Sequence, residues 1–347
     1  MKMKLLQPVT INQWDLQSRV VMAPMTRGFA DQETGIIHQD TIHYYAIRAK
    51  FGVGLIITEG IAISPEARGT IGIPGLYRPE HIEAWKRVTE QVHAENGRII
   101  AQLWHVGRLS HSSITGGVQP IAPSAVQANG VTHKVHLPYE MPKAMTKDDI
   151  NKVIQNFKTA ARNAHLAGFD GIEIHAAHGY LIDQFQFPWV NFRKDRYGQE
   201  KYLFLQEILH AVCEAIEPER VIVRFSEHKD DSPLFYWESP EQEIIEILNV
   251  IQSIGISIIH PSAKQYKKTL HRHELTLHAL VRKYRKGVQI GVGELTPDLA
   301  EELLRNEEIQ LAAFGRPLLS NADFVKRVKE GRELKKYNAQ IDLPYLH

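Results

Sequence analysis

The stretch TKDDINKVIQNFKTAARNAHLAGFDGIEIH, residues 146–175, contains one complete helix-to-strand unit. Thr146 is placed as a helix cap with Asp149 three residues on, apolar residues follow at Ile150, Ile154, Phe157 and Ala161, and Gly168 offers a stop. A short apolar run from Gly171 to His175 then reads as a buried strand. Moving outward in both directions, the same alternation recurs. The strand candidates are Arg19 to Met25, Gly54 to Glu59, Arg98 to Trp104, Gly171 to His175, Arg220 to Phe225, Ile256 to His260, Val288 to Val292 and Gln310 to Phe314, eight in all. A second clear helix begins at Pro79, carries Ile82, Trp85, Val88 and Val92 on one face, and ends near Gly97. Eight parallel strands joined by right-handed crossovers close most naturally into an α/β fold, a single (β/α)8 barrel with a short N-terminal cap. Periodicity alone does not exclude a doubly wound open sheet.

The 347 residues fall within the range of such barrels, and no repeat, low-complexity tract or Pro/Gly-rich linker divides them, so one domain over residues 1–347 is expected. Hydrophobic residues make up 43% and charged residues 23%, and 41 Lys and Arg balance 40 Asp and Glu. A core of ordinary size is available, and there is no basic field to attract nucleic acid. The opening MKMKLLQPVTINQWDLQ lacks the apolar run of a signal peptide, and no window has the length of a membrane span, so a cytoplasmic protein without a membrane partner is expected. The one cysteine, Cys213, lies in the apolar-periodic FLQEILHAVCEAI and reads as an inert thiol on a helix packing inward. A single thiol excludes an intrachain disulfide and a cysteine-ligated iron–sulfur cluster.

Polar and glycine residues collect where the strands end: Thr26, Gly60, Gln102, Trp104, His175 with His178 and Tyr180, Arg224, Gly293, and Gly315 with Arg316. Strand C-termini converge on one face of a barrel, so this distribution marks a catalytic face. In GIEIHAAHGYLIDQF, residues 171–185, two imidazoles three apart leave a strand through a small-residue turn, followed by a phenol. Such a pair can hydrogen-bond one oxygen from two directions, as an oxyanion hole does. Zinc is the rival reading, disfavoured because no third ligand stands nearby at metal spacing; no metal is expected. VQIGVGELT and LAAFGRPLLSN each end an apolar strand with glycines, and Arg316 adds a charged donor, the usual makings of a phosphate site after the last two strands of a barrel. The extended segment from Gly107 to Lys143 after the third strand reads as a lid or wall of the pocket, or else as a surface excursion.

APMTR, TEG, QLWHVGR, HAAHGYLIDQF, VRFS and FGRPLLSN occur in the order found in the old yellow enzyme family, and the chain resembles that family from about Pro8 to Lys329. The resemblance implies one FMN-binding (β/α)8 barrel, with NADPH or NADH as electron donor and a small-molecule electrophile as substrate. It implies a flavin site formed by Pro24, Met25, Thr26, Gly60, Gln102 and Arg224, with Val292, Gly293, Gly315 and Arg316 at the phosphate. Thr26 resembles the yeast and plant branch, where another bacterial branch has cysteine. Trp104, His175, His178 and Tyr180 would meet the substrate; the histidines would hold its carbonyl, and Tyr180 would protonate its α-carbon. The reaction implied is ping-pong hydride transfer to the C=C bond of an α,β-unsaturated carbonyl compound. Reduction of nitro compounds, nitrate esters or quinones, a flavin-binding redox protein with little turnover, and a non-flavin barrel holding a sugar phosphate stay open beside it. Family members occur in several assemblies, a homo-oligomer among them.

Three segments depart from the family. YGQEKYLFLQEIL replaces a usual YGG turn and Ser-Leu-Glu-Asn-Arg stretch, RFSEHKDDSPLFYW replaces a glycine-bearing loop after the fifth strand, and HPSAKQYKKTLHRHE follows the sixth. Substrate preference therefore does not carry over.

Overall fold

Leu55–Ala62 is buried along its whole length, as expected of a strand covered on both faces, and its β-branched residues suit that position. The computed structural model describes residues 3–347; Met1 and Lys2, part of the expected domain span, lie outside the described residues. The strands in chain order are β1 (Val9–Ile11), β2 (Trp14–Leu16), β3 (Val20–Met22), β4 (Leu55–Ala62), β5 (Arg98–Trp104), β6 (Ile121–Ala122), β7 (Lys143–Ala144), β8 (Gly171–His178), β9 (Val221–Lys229), β10 (Ile258–Pro261), β11 (Val288–Gly291) and β12 (Leu311–Phe314). β3, β4, β5, β8, β9, β10, β11 and β12 pair in parallel and close into a barrel. Closure excludes the open doubly wound sheet. These are the eight strands expected from the sequence, with β8 and β9 running three to four residues further than their apolar runs because the mouth of the barrel pairs polar residues too.

Helices Gln39–Lys50, Pro79–Ala94, Lys147–Leu166, Leu203–Cys213, Pro240–Ser253, Leu277–Tyr284, Pro297–Arg305 and Phe324–Glu330 cover the barrel. The cap on Lys147–Leu166 is reciprocal: Asp149 N donates to Thr146 Oγ1 at 3.1 Å and Thr146 N to Asp149 Oδ2 at 2.8 Å. The altered segment after Tyr197 still places a helix between β8 and β9, with Tyr197 OH donating to Glu207 at 2.7 Å. Cys213 ends that helix half-buried rather than inside the core, and burial pushes its thiol up to about 11, which keeps it protonated.

The short β1–β2 hairpin plugs one end of the barrel. Ile11, Trp14 and Leu16 join the interior cluster of Val21, Leu55, Ile100, Ile222, Ile258 and Leu311, and Trp14 Nε1 donates to Asp170 O at 3.1 Å. At the other end the segment from Gly107 to Lys143 folds over the barrel mouth. Lys134 Nζ donates to Gly28 O at 2.6 Å, and buried Arg108 pairs with Asp231 in the loop after β9. These two ties hold the segment against the barrel mouth.

Candidate active site

Strand residues two apart share a face, and here that period builds the site. Inward positions pass from Ile100 to Gln102 on β5, from Ile222 to Arg224 on β9 and from Ile258 to His260 on β10, while β8 contributes Glu173 and then His175. The register sets them level: Gln102 pairs with Glu173, His175 with Arg224 and Arg224 with His260. Gln102 Nε2 donates to Glu173 Oε1 at 2.7 Å, and His260 Nδ1 lies 2.6 Å from Glu173 Oε2. A carboxylate only accepts, so Glu173 orients the Gln102 amide and fixes the His260 tautomer. Burial would raise the Glu173 carboxyl, but His260, with Arg224 and Gln102, holds it below its ordinary value.

Above this layer four rings meet. His175 lies 5.0 Å from His178 and 4.9 Å from Tyr180 between ring centres, and Trp104 stands edge-on to Tyr180 at 5.0 Å. The turn that carries them is locked: Gly179 N donates to Asp183 Oδ2 at 2.8 Å, and Asp183 Oδ1 pairs with buried Lys229 at 2.8 Å. His178 adopts φ 62°, an uncommon geometry for a residue with a side chain, at the register shift between β8 and β9. Burial, then Arg224, keeps both imidazoles well below their ordinary pKa, so they are neutral. Burial, then Asp230, raises the Tyr180 phenol, so it keeps its proton.

Ser262 connects the layers. Its Oγ accepts from Arg224 Nη2 at 3.0 Å and lies 2.8 Å from His178 Nε2. Arg224 is an obligate donor and takes one lone pair of the Ser262 hydroxyl, whose remaining lone pair and proton can meet His178 Nε2 in either tautomer. His175 Nδ1, Trp104 Nε1 and Arg224 Nε are buried without a partner. Buried polar atoms are normally satisfied, so this set points to a polar guest.

Cavities open at this face. One of about 600 Å³ is lined by Pro24, Met25, Arg224, Val292, Gly293, Gly315 and Arg316, together with Lys264, Lys335 and Lys336. One of about 330 Å³ is lined by Thr26, Trp104, Tyr139, Tyr180 and Leu343. The orphaned donors and the cation-rich larger cavity fit a planar polar ring system with a phosphate tail. Gly293 has φ 126°, and a Cβ there would stand 2.6 Å from Tyr266 N, so only glycine fits this approach. Gly60 is also required for space, since its Cβ would lie 2.4 Å from the Trp104 ring.

The structure thus gathers Gln102, Trp104, His175, His178, Tyr180 and Arg224 at the mouth, with Gly60 beneath Trp104, and sets Pro24, Met25, Val292, Gly293, Gly315 and Arg316 around the larger cavity. Thr26 belongs to the smaller one. Arg316 is exposed and reaches Glu294 at 3.3 Å, an ion pair weak enough for a phosphate to displace. Sequence reasoning missed Glu173, His260 and Ser262. Glu173 was within reach, two residues before His175 on the same face; Ser262 and the lysines of the larger cavity sit on loops whose course the sequence does not reveal. Among the described residues no group of three His, Cys, Asp or Glu side chains could hold a metal ion, and no helix is long and apolar enough to cross a membrane.

Comparison with known proteins agrees with this geometry. Residues 4–335 match the family described as NADH:flavin oxidoreductase / NADH oxidase. The chain is 36% identical to 12-oxophytodienoate reductase 2 of Arabidopsis thaliana, covering 96% of this chain and 90% of that one. Its fold is similar to that of an old yellow enzyme homologue from Zymomonas mobilis, with TM-score 0.88 and 33% identity over 96% of this chain and 94% of the other. It is also similar to morphinone reductase in complex with tetrahydroNAD, with TM-score 0.85 and 32% identity over 97% and 93%.

Proposed function

The chain belongs to the old yellow enzyme family, which makes it an FMN-dependent oxidoreductase fed by NAD(P)H, and from that premise we propose that it reduces the activated C=C bond of α,β-unsaturated carbonyl compounds by a ping-pong cycle. We assign FMN to the larger cavity, over residues 3–347 acting as one unit. Pro24, Met25, Thr26, Gly60, Gln102 and Arg224 would meet the ring, and Val292, Gly293, Gly315 and Arg316 the phosphate end. Bound FMN supplies the hydride relay between nicotinamide donor and acceptor. The buried Arg224 guanidinium favours negative charge beside it, as the reduced ring requires.

The observation that carries the reading is the ring cluster: two neutral imidazoles and a protonated phenol on one wall, with ring centres 4.9 to 6.3 Å apart. Each neutral imidazole can donate one hydrogen bond to a carbonyl oxygen, and the pair would stabilise enolate charge as it develops. Tyr180, edge-on to Trp104, gives its proton to the α-carbon, and the basicity of the enolate drives the transfer. Pure electron storage has no use for that proton donor.

Anaerobic titration with NADPH and then cyclohexenone tests the assignment, with flavin bleaching and recovery as the signal. In Tyr180→Phe, bleaching by NADPH should match the parent protein, recovery with the enone should slow roughly 10²–10⁴-fold, and recovery with a quinone should be spared. Equal enone rates in variant and parent would remove Tyr180 from the mechanism. An enone that never restores the colour of the parent, where a nitro compound or nitrate ester does, would replace the substrate class.

A further inference from the structure

Two of the segments in which this chain departs from its family, those after β9 and β10, face each other across a cavity of about 620 Å³ at the strand-end face. Its inner wall is shared with the active site: His228 stacks on His178 with ring centres 4.6 Å apart, and Ser262 holds His178 Nε2. It also carries Lys264, Lys268 and His271, and the His271 ring stacks on Tyr236 with ring centres 3.8 Å apart and an interplanar angle of 29°. Among the described residues neither lysine is within ion-pair distance of a carboxylate. One carboxyl group, Glu227, lines the cavity, and burial raises its pKa. His228 is pushed down to about 3 by burial and by Lys264, Lys229 and Arg224, so the inner wall also sits in a positive field. Unpaired cations beside an aromatic pair suit an anion attached to a flat base.

The neighbouring cavities are accounted for differently. In the 330 Å³ cavity Lys134 is already bonded to Gly28 O, and the 600 Å³ cavity is the one assigned to FMN. A dinucleotide whose nicotinamide reaches the four-ring cluster must lay its other half in a neighbouring groove, and the cavity behind His228 adjoins that cluster through the His228–His178 stack. We propose that this cavity binds the phosphorylated adenosine end of NADPH, with Lys268 on phosphate oxygens, Lys264 standing between this cavity and the one assigned to FMN, and the adenine against the Tyr236–His271 pair. The placement of the nicotinamide rests on the flavin site described above; the adenosine contacts do not.

Calorimetric titration of the holoenzyme with adenosine 2′,5′-bisphosphate tests this directly. Saturable binding that weakens with added salt is expected, as for any anion held by exposed lysines. Lys268→Ala should weaken it about tenfold or more, Lys268→Arg should largely restore it, and flavin content and melting temperature should equal the parent's. The KM for NADPH should rise in Lys268→Ala with the saturating rate of flavin reduction unchanged, whereas reduced nicotinamide mononucleotide, which has no adenosine end, should serve both proteins alike. No binding of the bisphosphate by the parent at millimolar concentration, or equal binding by Lys268→Ala, would overturn the proposal. A protein that bound the bisphosphate but carried no flavin would defeat the proposed reductase function and leave the adenosine pocket standing.

Discussion

At the plugged end of the barrel β5, β9 and β10 point Ile100, Ile222 and Ile258 inward; one inward step further, the same strands point Gln102, Arg224 and His260. Backbone pairing is the same at both levels, so the difference lies in what each level leaves unsatisfied. The apolar level is closed by Trp14, whose single polar atom is bonded to Asp170 O. At the polar level His175 Nδ1, Trp104 Nε1 and Arg224 Nε have no partner, although burial without a bond costs about 1–3 kcal/mol for each such group. One end of the barrel gains stability from burial, and the other gives some up to keep donors ready for a guest.

The largest test of this contrast is Trp14→Ala. Removing a side chain 2% exposed should cost about 3–5 kcal/mol of stability and lower the melting temperature, while the protein that remains folded keeps the parent's rates. A drop in turnover at full folding would show that the two ends are not independent. Arg316→Ala should behave in the opposite way. With FMN held as proposed, it removes a charge-assisted phosphate contact of roughly 1.5–3 kcal/mol, so flavin should be lost on dilution while the melting of the flavin-free protein stays put. Full flavin retention after extensive dialysis would move the phosphate elsewhere.

The smallest effect concerns acid. His175 titrates below its unfolded value of about 6.5 because burial and then Arg224 disfavour its charged form. A depressed folded pKa means that its stabilising contribution is complete above the unfolded pKa and falls away as pH drops below it toward the folded one. The cost is about 1.4 kcal/mol per pH unit. Melting curves between pH 7 and pH 5, roughly the window below the unfolded value, should therefore be less steep in His175→Gln than in the parent. Equal slopes would mean that His175 is already charged or solvated in the folded protein.

How much of this was legible depended on chain distance. All eight barrel strands were visible because each is a short apolar run, and the helix after Thr146 was visible because its cap lies three residues from its partner. The ring cluster could be read because His175, His178 and Tyr180 sit within six residues of one another. By contrast, Glu173 meets His260 across 87 positions and His178 meets Ser262 across 84, spacings that no local pattern encodes. Gln102 was singled out for ending an apolar strand, but the carboxylate that orients its amide comes from the neighbouring strand.

By itself, then, the sequence determined the alternation of strand and helix, the level at which the strands turn polar, and the chemical kinds present there, since all of these follow from side-chain period and composition along a continuous stretch. Only the tertiary structure decided that His178 meets Ser262, which way the Gln102 amide points, and that the loops after β9 and β10 enclose a cation-lined cavity behind His228. Those outcomes depend on barrel closure, which sets the register between strands and brings together hydrogen-bond partners and charges that are far apart along the chain.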